Sequence, residues 1–124
     1  MNMHRLDPPI QRKAILAERL YQVVSAGRDK NIRVAVGFPE RTQDGGFECR
    51  AEIADENQCI VRPMRGRDAF ESLMLALLNI GIELPLFSDL SADRFTWLDG
   101  QEKGLRFPAL PDSSLNAVVE GTDD

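Results

Sequence analysis

Residues 68–87, DAFESLMLALLNIGIELPLF, limit what this chain can fold into. The stretch predicts one long α-helix with the rest of the chain packed around it. Gly66 and Arg67 break the strand pattern that precedes it. Asp68 is a suitable N-cap, since its carboxylate can accept from the unpaired N–H groups of the first turn. Glu71 stands three residues later, at capping-box spacing, and suits the positive end of the helix dipole. Pro85 disfavours helical geometry at Leu84 and marks the end. On a helical wheel Ser72, Ala76, Asn79 and Glu83 share one narrow side, and the remaining arc of roughly 240° is apolar. A helix lying on one sheet needs an apolar stripe of only about 100°. The sheet is expected to take Phe70, Leu73, Leu77 and Leu84. Leu75, Leu78 and Ile82 point away and need other cover. Either the chain's own C-terminal segment covers them, through Phe95, Trp97 and Phe107, or a second subunit or partner does. Any uncovered remainder is expected to form a symmetric homodimer contact. Asn79 and Glu83 interrupt the apolar run, so a membrane span is not expected.

The remaining sequence supplies a sheet. Ile15–Ser25 fits either a helical stripe (Ile10, Ala14, Ala17, Tyr21, Val24) or a strand, and a strand is preferred because Tyr21-Gln22-Val23-Val24 leads into an expected turn at Gly27-Arg28-Asp29-Lys30. Ile32, Val34, Val36 and Phe38 alternate with Arg33, Ala35 and Gly37, as in a half-buried strand that Pro39 ends. Phe47, Cys49, Ala51 and Ile53 should face inward, with Glu48, Arg50 and Glu52 outward. Asp55-Glu56-Asn57-Gln58 reads as a hairpin turn into a strand at residues 59–65. That strand can bury Cys59, Val61 and Pro63, or Ile60, Arg62 and Met64; the first set buries no charge and is preferred. After the helix, residues 94–98 and 105–107 suggest a short hairpin. The expected fold class is α+β: a two-layer domain with a four-stranded antiparallel β-meander against one long α-helix and a short C-terminal β-hairpin. Residues 14–108 form that domain, residues 1–13 a flexible arm, and residues 109–124 a disordered acidic tail.

These pieces together resemble a family of small uncharacterised bacterial proteins classified only as a domain of unknown function. The resemblance runs from about Ile15 to Pro108. It rests on Ala17-Glu18-Arg19-Leu20, on Ile32 to Pro39 (IRVAVGFP), on Phe47 to Ile53 (FECRAEI), on Gly66 to Leu77 (GRDAFESLMLAL) and on Thr96-Trp97-Leu98. It implies a strand at Ile15–Ser25. It implies no activity, and no functional residue comes with it.

The net charge of −5 argues against general nucleic-acid binding, which needs a basic surface. Twelve arginines against three lysines suit planar pairing with carboxylates. Cys49 and Cys59 are not at metal-ligand spacing, and the single His4 does not complete a set, so no metal and no cofactor are expected. Met1–Lys13 has no apolar run of a signal peptide, which points to the cytoplasm and free thiols. There is no phosphate-binding Gly-rich loop, no His-Glu-x-x-His and no Gly-x-Ser-x-Gly. Asp89-x-Ser91-x-Asp93 begins like a calcium loop, but Arg94 stands where glycine is required. Three features remain as candidate binding sites. Arg62, Arg65 and Arg67 crowd the helix N-terminus and could hold an anion, or simply pair with nearby acids. Leu75, Leu78 and Ile82 form the outward row. Trp97 is either a recognition residue or a lid on the core. The expected function is a non-enzymatic protein-interaction module, as a homodimer or docked on another protein; small acidic immunity proteins are one such class. The alternative is a small-molecule-binding domain or enzyme with a pocket between sheet and helix.

Overall fold

The computed structural model describes residues 8–25, 28–88, 95–97 and 107–108. The expected tail, most of the second arm of the C-terminal hairpin, and residues 1–7 of the N-terminal arm lie outside them. Alternation builds the sheet. β1 (Ile15–Ser25) and β2 (Arg28–Gly37) form a long antiparallel hairpin, with an irregularity that leaves Leu16 as the extra residue between Ile15 and Ala17. β4 (Phe47–Ala54) lies beside β2, and β5 (Cys59–Gly66) pairs with the whole length of β4. These four strands are the expected meander. Two short strands enlarge the sheet to six. β3 (Glu40–Arg41) pairs with the start of β4, continuing past the end of β2. β6 (Phe95–Trp97) pairs antiparallel with β1, with Tyr21 opposite Trp97 and Val23 opposite Phe95. The residues expected to open a separate hairpin therefore extend the main sheet instead.

One face of the sheet carries Tyr21, Val23, Ile32, Val34, Val36, Cys49, Ala51 and Ile53, all buried. The helix α1 (Ala69–Ser88) lies on this face, mainly across β4 and β5. Two expectations about these layers need correction. The first concerns β5. Ile53 pairs with Ile60, Ala51 with Arg62 and Cys49 with Met64. Partners directly opposite each other share a face, so Ile60, Arg62 and Met64 face the helix, not Cys59, Val61 and Pro63. The charge that disfavoured this register is neutralised. Arg62 Nε donates to both Glu83 oxygens on α1, at 3.0 and 3.2 Å. β5 is also an edge strand, so the guanidinium stays half in solvent.

The second correction concerns which side of α1 meets the sheet. The fully buried stripe is Ser72, Ala76, Ile80 and Leu84. Ser72 and Ala76, expected on the polar side, thus form the buried line. Phe70, expected against the sheet, is 78% exposed. Small residues let the helix backbone come close to a sheet surface already filled by Ile32, Val34 and Ile53. Ser72 has no unmet polar need there, because its hydroxyl donates to the Ala69 carbonyl at 3.0 Å. Leu73, Leu77 and Phe87 pack at the margins of the core. The helix also continues through Pro85 to Ser88. Pro85 has no N–H to give the Gly81 carbonyl, but Leu84 is fully buried and Phe87 packs on the core, which holds the last turn in place.

The opposite face of the sheet is also partly covered. Ile10, in the stretch expected to belong to a free arm, is buried, and its N–H donates to Glu52 Oε1 at 2.8 Å. Arg12–Ala14 forms a 3-10 turn, and the Ala14 carbonyl accepts from Phe38 N–H. Glu52 faces away from the helix as its alternation requires, yet is fully buried. Arg33 donates to its second oxygen and also reaches Glu18, which Arg12 pairs from the other side. A chain of alternating charges, Arg12–Glu18–Arg33–Glu52, therefore crosses this face. Cys59 lies opposite Ala54, five residues along β4 from Cys49, so the two thiols are far apart and both free. Cys49 is enclosed, donates to the Gly37 carbonyl, and burial pushes its thiol up to about 11.

Candidate interaction surface

The start of α1 is built as its sequence requires. Asp68 Oδ1 accepts from the Glu71 N–H at 2.8 Å, and Glu71 Oε1 accepts from the Arg67 N–H at 2.6 Å. The reciprocal bond thus reaches one residue beyond the cap. The Arg67 guanidinium also bonds Glu71 and, with that N–H, holds its carboxyl below the usual glutamate range. Gly66 ends β5 directly beneath this turn. A Cβ placed there would stand 2.4 Å from Ser72 N. Only glycine lets strand and helix meet so closely.

Because Ser72, Ala76, Ile80 and Leu84 face the sheet, the opposite side of α1 is the ridge Phe70, Met74, Leu78, Ile82, Leu86. Each step of four residues advances about 40° around the axis, so Met74, Leu78 and Ile82 share the face turned from the sheet, and Phe70 and Leu86 stand at its two opposite edges. Phe70 is 78%, Met74 59%, Ile82 55% and Leu86 76% exposed, while Leu78 is half-buried. Leu75, the third member of the expected row, is also half-buried. Singly exposed apolar side chains are ordinary, whereas a contiguous row is not. Phe70, expected against the sheet, and Met74 and Leu86, assigned to no face, were missed as surface residues because the small residues Ser72 and Ala76 were expected on the polar side of the helix. The fourfold spacing that joins them was present in the sequence.

The flanks of the ridge differ. On one side Phe107 and Pro108 cross the helix at Gly81, where an added Cβ would lie 2.9 Å from the Pro108 carbonyl oxygen. Phe107 therefore covers a margin of the helix beside Gly81, and not the row Leu75, Leu78 and Ile82 that it was expected to cover with Phe95 and Trp97. Phe95 is wholly buried beside Tyr21, in an edge-on ring contact of 5.5 Å. Trp97 packs on the rim of the core and carries the Arg19 guanidinium 3.7 Å from its ring centre. The second flank is the Arg62–Glu83 pair on β5.

The three arginines expected near the helix start do not converge. Arg62 faces the helix and pairs with Glu83; Arg65 lies on the opposite face near Asp44 and Glu48; Arg67 pairs with Glu71. Each has a carboxylate within 4 Å, which is the simpler alternative to an anion site. Between sheet and helix there is a cavity of about 120 Å³ lined by Ala17, Arg19, Val34, Leu77, Ile80 and Phe107 among others. Pockets for drug-sized ligands are typically about 300 Å³ or more. No cluster of three His, Cys, Asp or Glu side chains suited to a metal ion occurs among the described residues.

A family model described as a domain of unknown function (DUF6968) matches residues 17–109. That span holds the helix and all of the sheet except the first two residues of β1. The chain belongs to the DUF6968 family. The resemblance drawn from the sequence, to a domain of unknown function between about Ile15 and Pro108, is thereby borne out. No curated protein and no solved structure matches the DUF6968 chain. By length and composition alone, Ala69–Phe87 in this domain can cross a membrane: 19 residues, mean hydropathy 1.5, with 22% of the window buried. The helix continues past Pro85, so the apolar length suffices. A helix that packs on a sheet passes the same test of composition.

Proposed function

We propose that this DUF6968 domain is a non-enzymatic protein-interaction module of the bacterial cytoplasm that docks through the outward ridge of α1. One observation carries the proposal: Met74 and Ile82, on the side of α1 turned from the sheet, and Phe70 and Leu86, at its two edges, are each more than half exposed. Burying each such side chain is worth about 1.5–3 kcal/mol, so the ridge favours association with another apolar surface. Two free cysteines agree with a reducing compartment. For the alternative, a ligand held between sheet and helix, the cavity that the described residues line there is about 120 Å³.

The test is the double variant Met74→Glu/Ile82→Glu. Both side chains are mostly in solvent, so the fold and melting temperature should stay close to wild type. Two measurements then report on the face: mass by sedimentation, and fluorescence of an apolar dye. Wild-type protein should either self-associate or, as a monomer, bind the dye, and the variant should lose whichever property is present. A wild-type monomer that leaves the dye dark would remove the basis for an interaction module.

A further inference from the structure

The face of the sheet turned from α1 carries a surface of a different kind. We infer that residues 8–11 are a displaceable plug in a peptide-binding trough on that face, and that the trough's partner is an extended, proline-containing segment of another protein with one branched aliphatic residue and one basic residue. The floor of the trough is Ala35 and Gly37 on β2, both buried. Ala35 lies directly opposite Glu18 on β1 and Glu52 on β4, so these two side chains wall it. The Ile10 side chain fills it: a Cβ built on Gly37 would stand 3.7 Å from Ile10 Cγ2 and 3.9 Å from Cδ1. The Ile10 N–H donates to Glu52 Oε1 at 2.8 Å. One side chain seated in a depression and one main-chain donor on a buried carboxylate are the contacts of a bound peptide. Here the peptide is the chain's own.

Three observations make the plug displaceable and describe its rival. Of residues 8–13, Ile10 alone is buried. Gln11, at φ −65° and ψ 144°, continues the extended backbone that Pro8 and Pro9 impose. The anchor that follows, from Phe38 N–H to the Ala14 carbonyl at 3.2 Å, does not involve Ile10, so the plug can lift without unpairing a strand. Its fit is also loose. Between Pro8, Pro9 and Gln11 on one side and Phe38, Glu48 and Arg50 on the other is a cavity of about 260 Å³, and Phe38 is 50% exposed beside it. Glu40 lines the same cavity directly opposite Glu48. Glu48 has Arg50 and Arg65 at 3.8 Å, whereas Glu40 makes no ion pair among the described residues. A basic side chain in the cavity would supply one. A tethered segment acts at an effective concentration in the millimolar range, so a rival must make contacts that the plug lacks. Filling the cavity and pairing Glu40 are those contacts.

The full chain tests this in two ways. Native-state hydrogen exchange reads the plug in the wild type. The Ile10 N–H should exchange roughly 100-fold faster than the Ile53 N–H of central β4, as the N–H of a locally opening segment does. The second test opens the trough. Ile10→Asp places a carboxylate beside Glu52 and should release the plug, while circular dichroism shows the domain still folded. The probe is a synthetic peptide of residues 7–13, DPPIQRK. It should shift the amide NMR signals of Ala35, Gly37 and Phe38 in that variant, at a concentration that leaves the wild type unchanged. The same peptide with Ile10→Asp should shift none of them. With Pro8→Arg it should bind about threefold more tightly, the worth of one part-exposed ion pair. Adding Glu40→Gln to the Ile10→Asp chain should cancel that gain.

Several results would overturn this inference. Ile10 and Ile53 N–H groups that exchange together, or an Ile10→Asp chain that unfolds, make residues 8–11 an integral part of the fold. A folded variant whose signals the peptide leaves in place has no peptide trough. A wild-type dimer that Ile10→Asp turns into a monomer exchanges its plug between two copies, and the partner is then not another protein. A Pro8→Arg peptide that gains nothing, or whose gain survives Glu40→Gln, refutes the basic residue in the partner. None of these outcomes bears on α1, which lies on the other side of the sheet.

Discussion

Gly66→Ala is the sharpest test of how strand and helix are joined. The added Cβ would stand 2.4 Å from Ser72 N and 2.9 Å from both the carbonyl carbon and Cβ of Glu71. Ordinary contacts begin near 3.4 Å, so the first turn of α1 must retreat by about 1 Å. None of the obstructing atoms is the free end of a flexible side chain. Overpacking of this kind costs about 1–3 kcal/mol. The retreat also strains the bonds from Asp68 to Glu71 and from Glu71 to Arg67, and a lost cap adds about 1 kcal/mol. The total is about 2–4 kcal/mol, or a fall in melting temperature of roughly 10–25 °C for a domain of this size. Urea unfolding followed by circular dichroism measures it. Gly45→Ala is the control. Gly45 has φ of 94° and no neighbour within 4 Å of a built Cβ, so only backbone conformation opposes that change. If Gly66→Ala loses under 1 kcal/mol, or less than Gly45→Ala, the close approach of β5 and α1 is not what fixes the helix.

Arg33→Ala should cost about 3 kcal/mol in the same assay, since it strands the fully buried Glu52 with only the Ile10 N–H as partner. Arg33→Met/Glu52→Met should lose far less, and a double loss equal to the sum of the Arg33→Met and Glu52→Met losses would show that the pair is not coupled. Asp55 predicts the pH dependence. Burial pushes its carboxyl up, but Lys30 and the N–H groups of Asn57 and Gln58 outweigh this and leave it below the usual aspartate range. A depressed folded value means that the stability is present above the unfolded value of about 3.9 and is lost as pH falls through the folded one. Asp55→Asn should therefore flatten the decline in stability below about pH 4, and curves for wild type and variant that stay parallel from pH 5 to 2 would refute the assignment.

Strands with one clean alternation were legible. Ile32, Val34 and Val36, and Cys49, Ala51 and Ile53, face the helix as their spacing requires. So was the start of the helix, because Asp68 and Glu71 act within four residues of chain. What failed depended on distant partners. Arg62 turns inward because Glu83, 21 residues later, meets it, and no local pattern contains that pair. Glu52 was placed on the correct face but expected in solvent, and Ile10 covers it from 42 residues away. The rotation of α1 was misjudged for a different reason. Nearly all of its residues are apolar, so hydrophobicity did not distinguish its sides, and size decided instead. The outward row was partly found through Ile82, and its ends at Phe70 and Leu86 were not.

The division of α1 into a line of close-fitting small and medium residues and a ridge of large ones separates two kinds of change. At Ser72 and Ala76, both fully buried against the sheet, each added methylene overpacks the interface and costs about 1–3 kcal/mol. At Phe70, Met74, Ile82 and Leu86 more than half of each residue is in solvent. Substitutions there can alter shape, charge or stickiness while the fold stays as it is. One helix can thus be rewritten for a new companion on one side without disturbing the scaffold that holds it on the other.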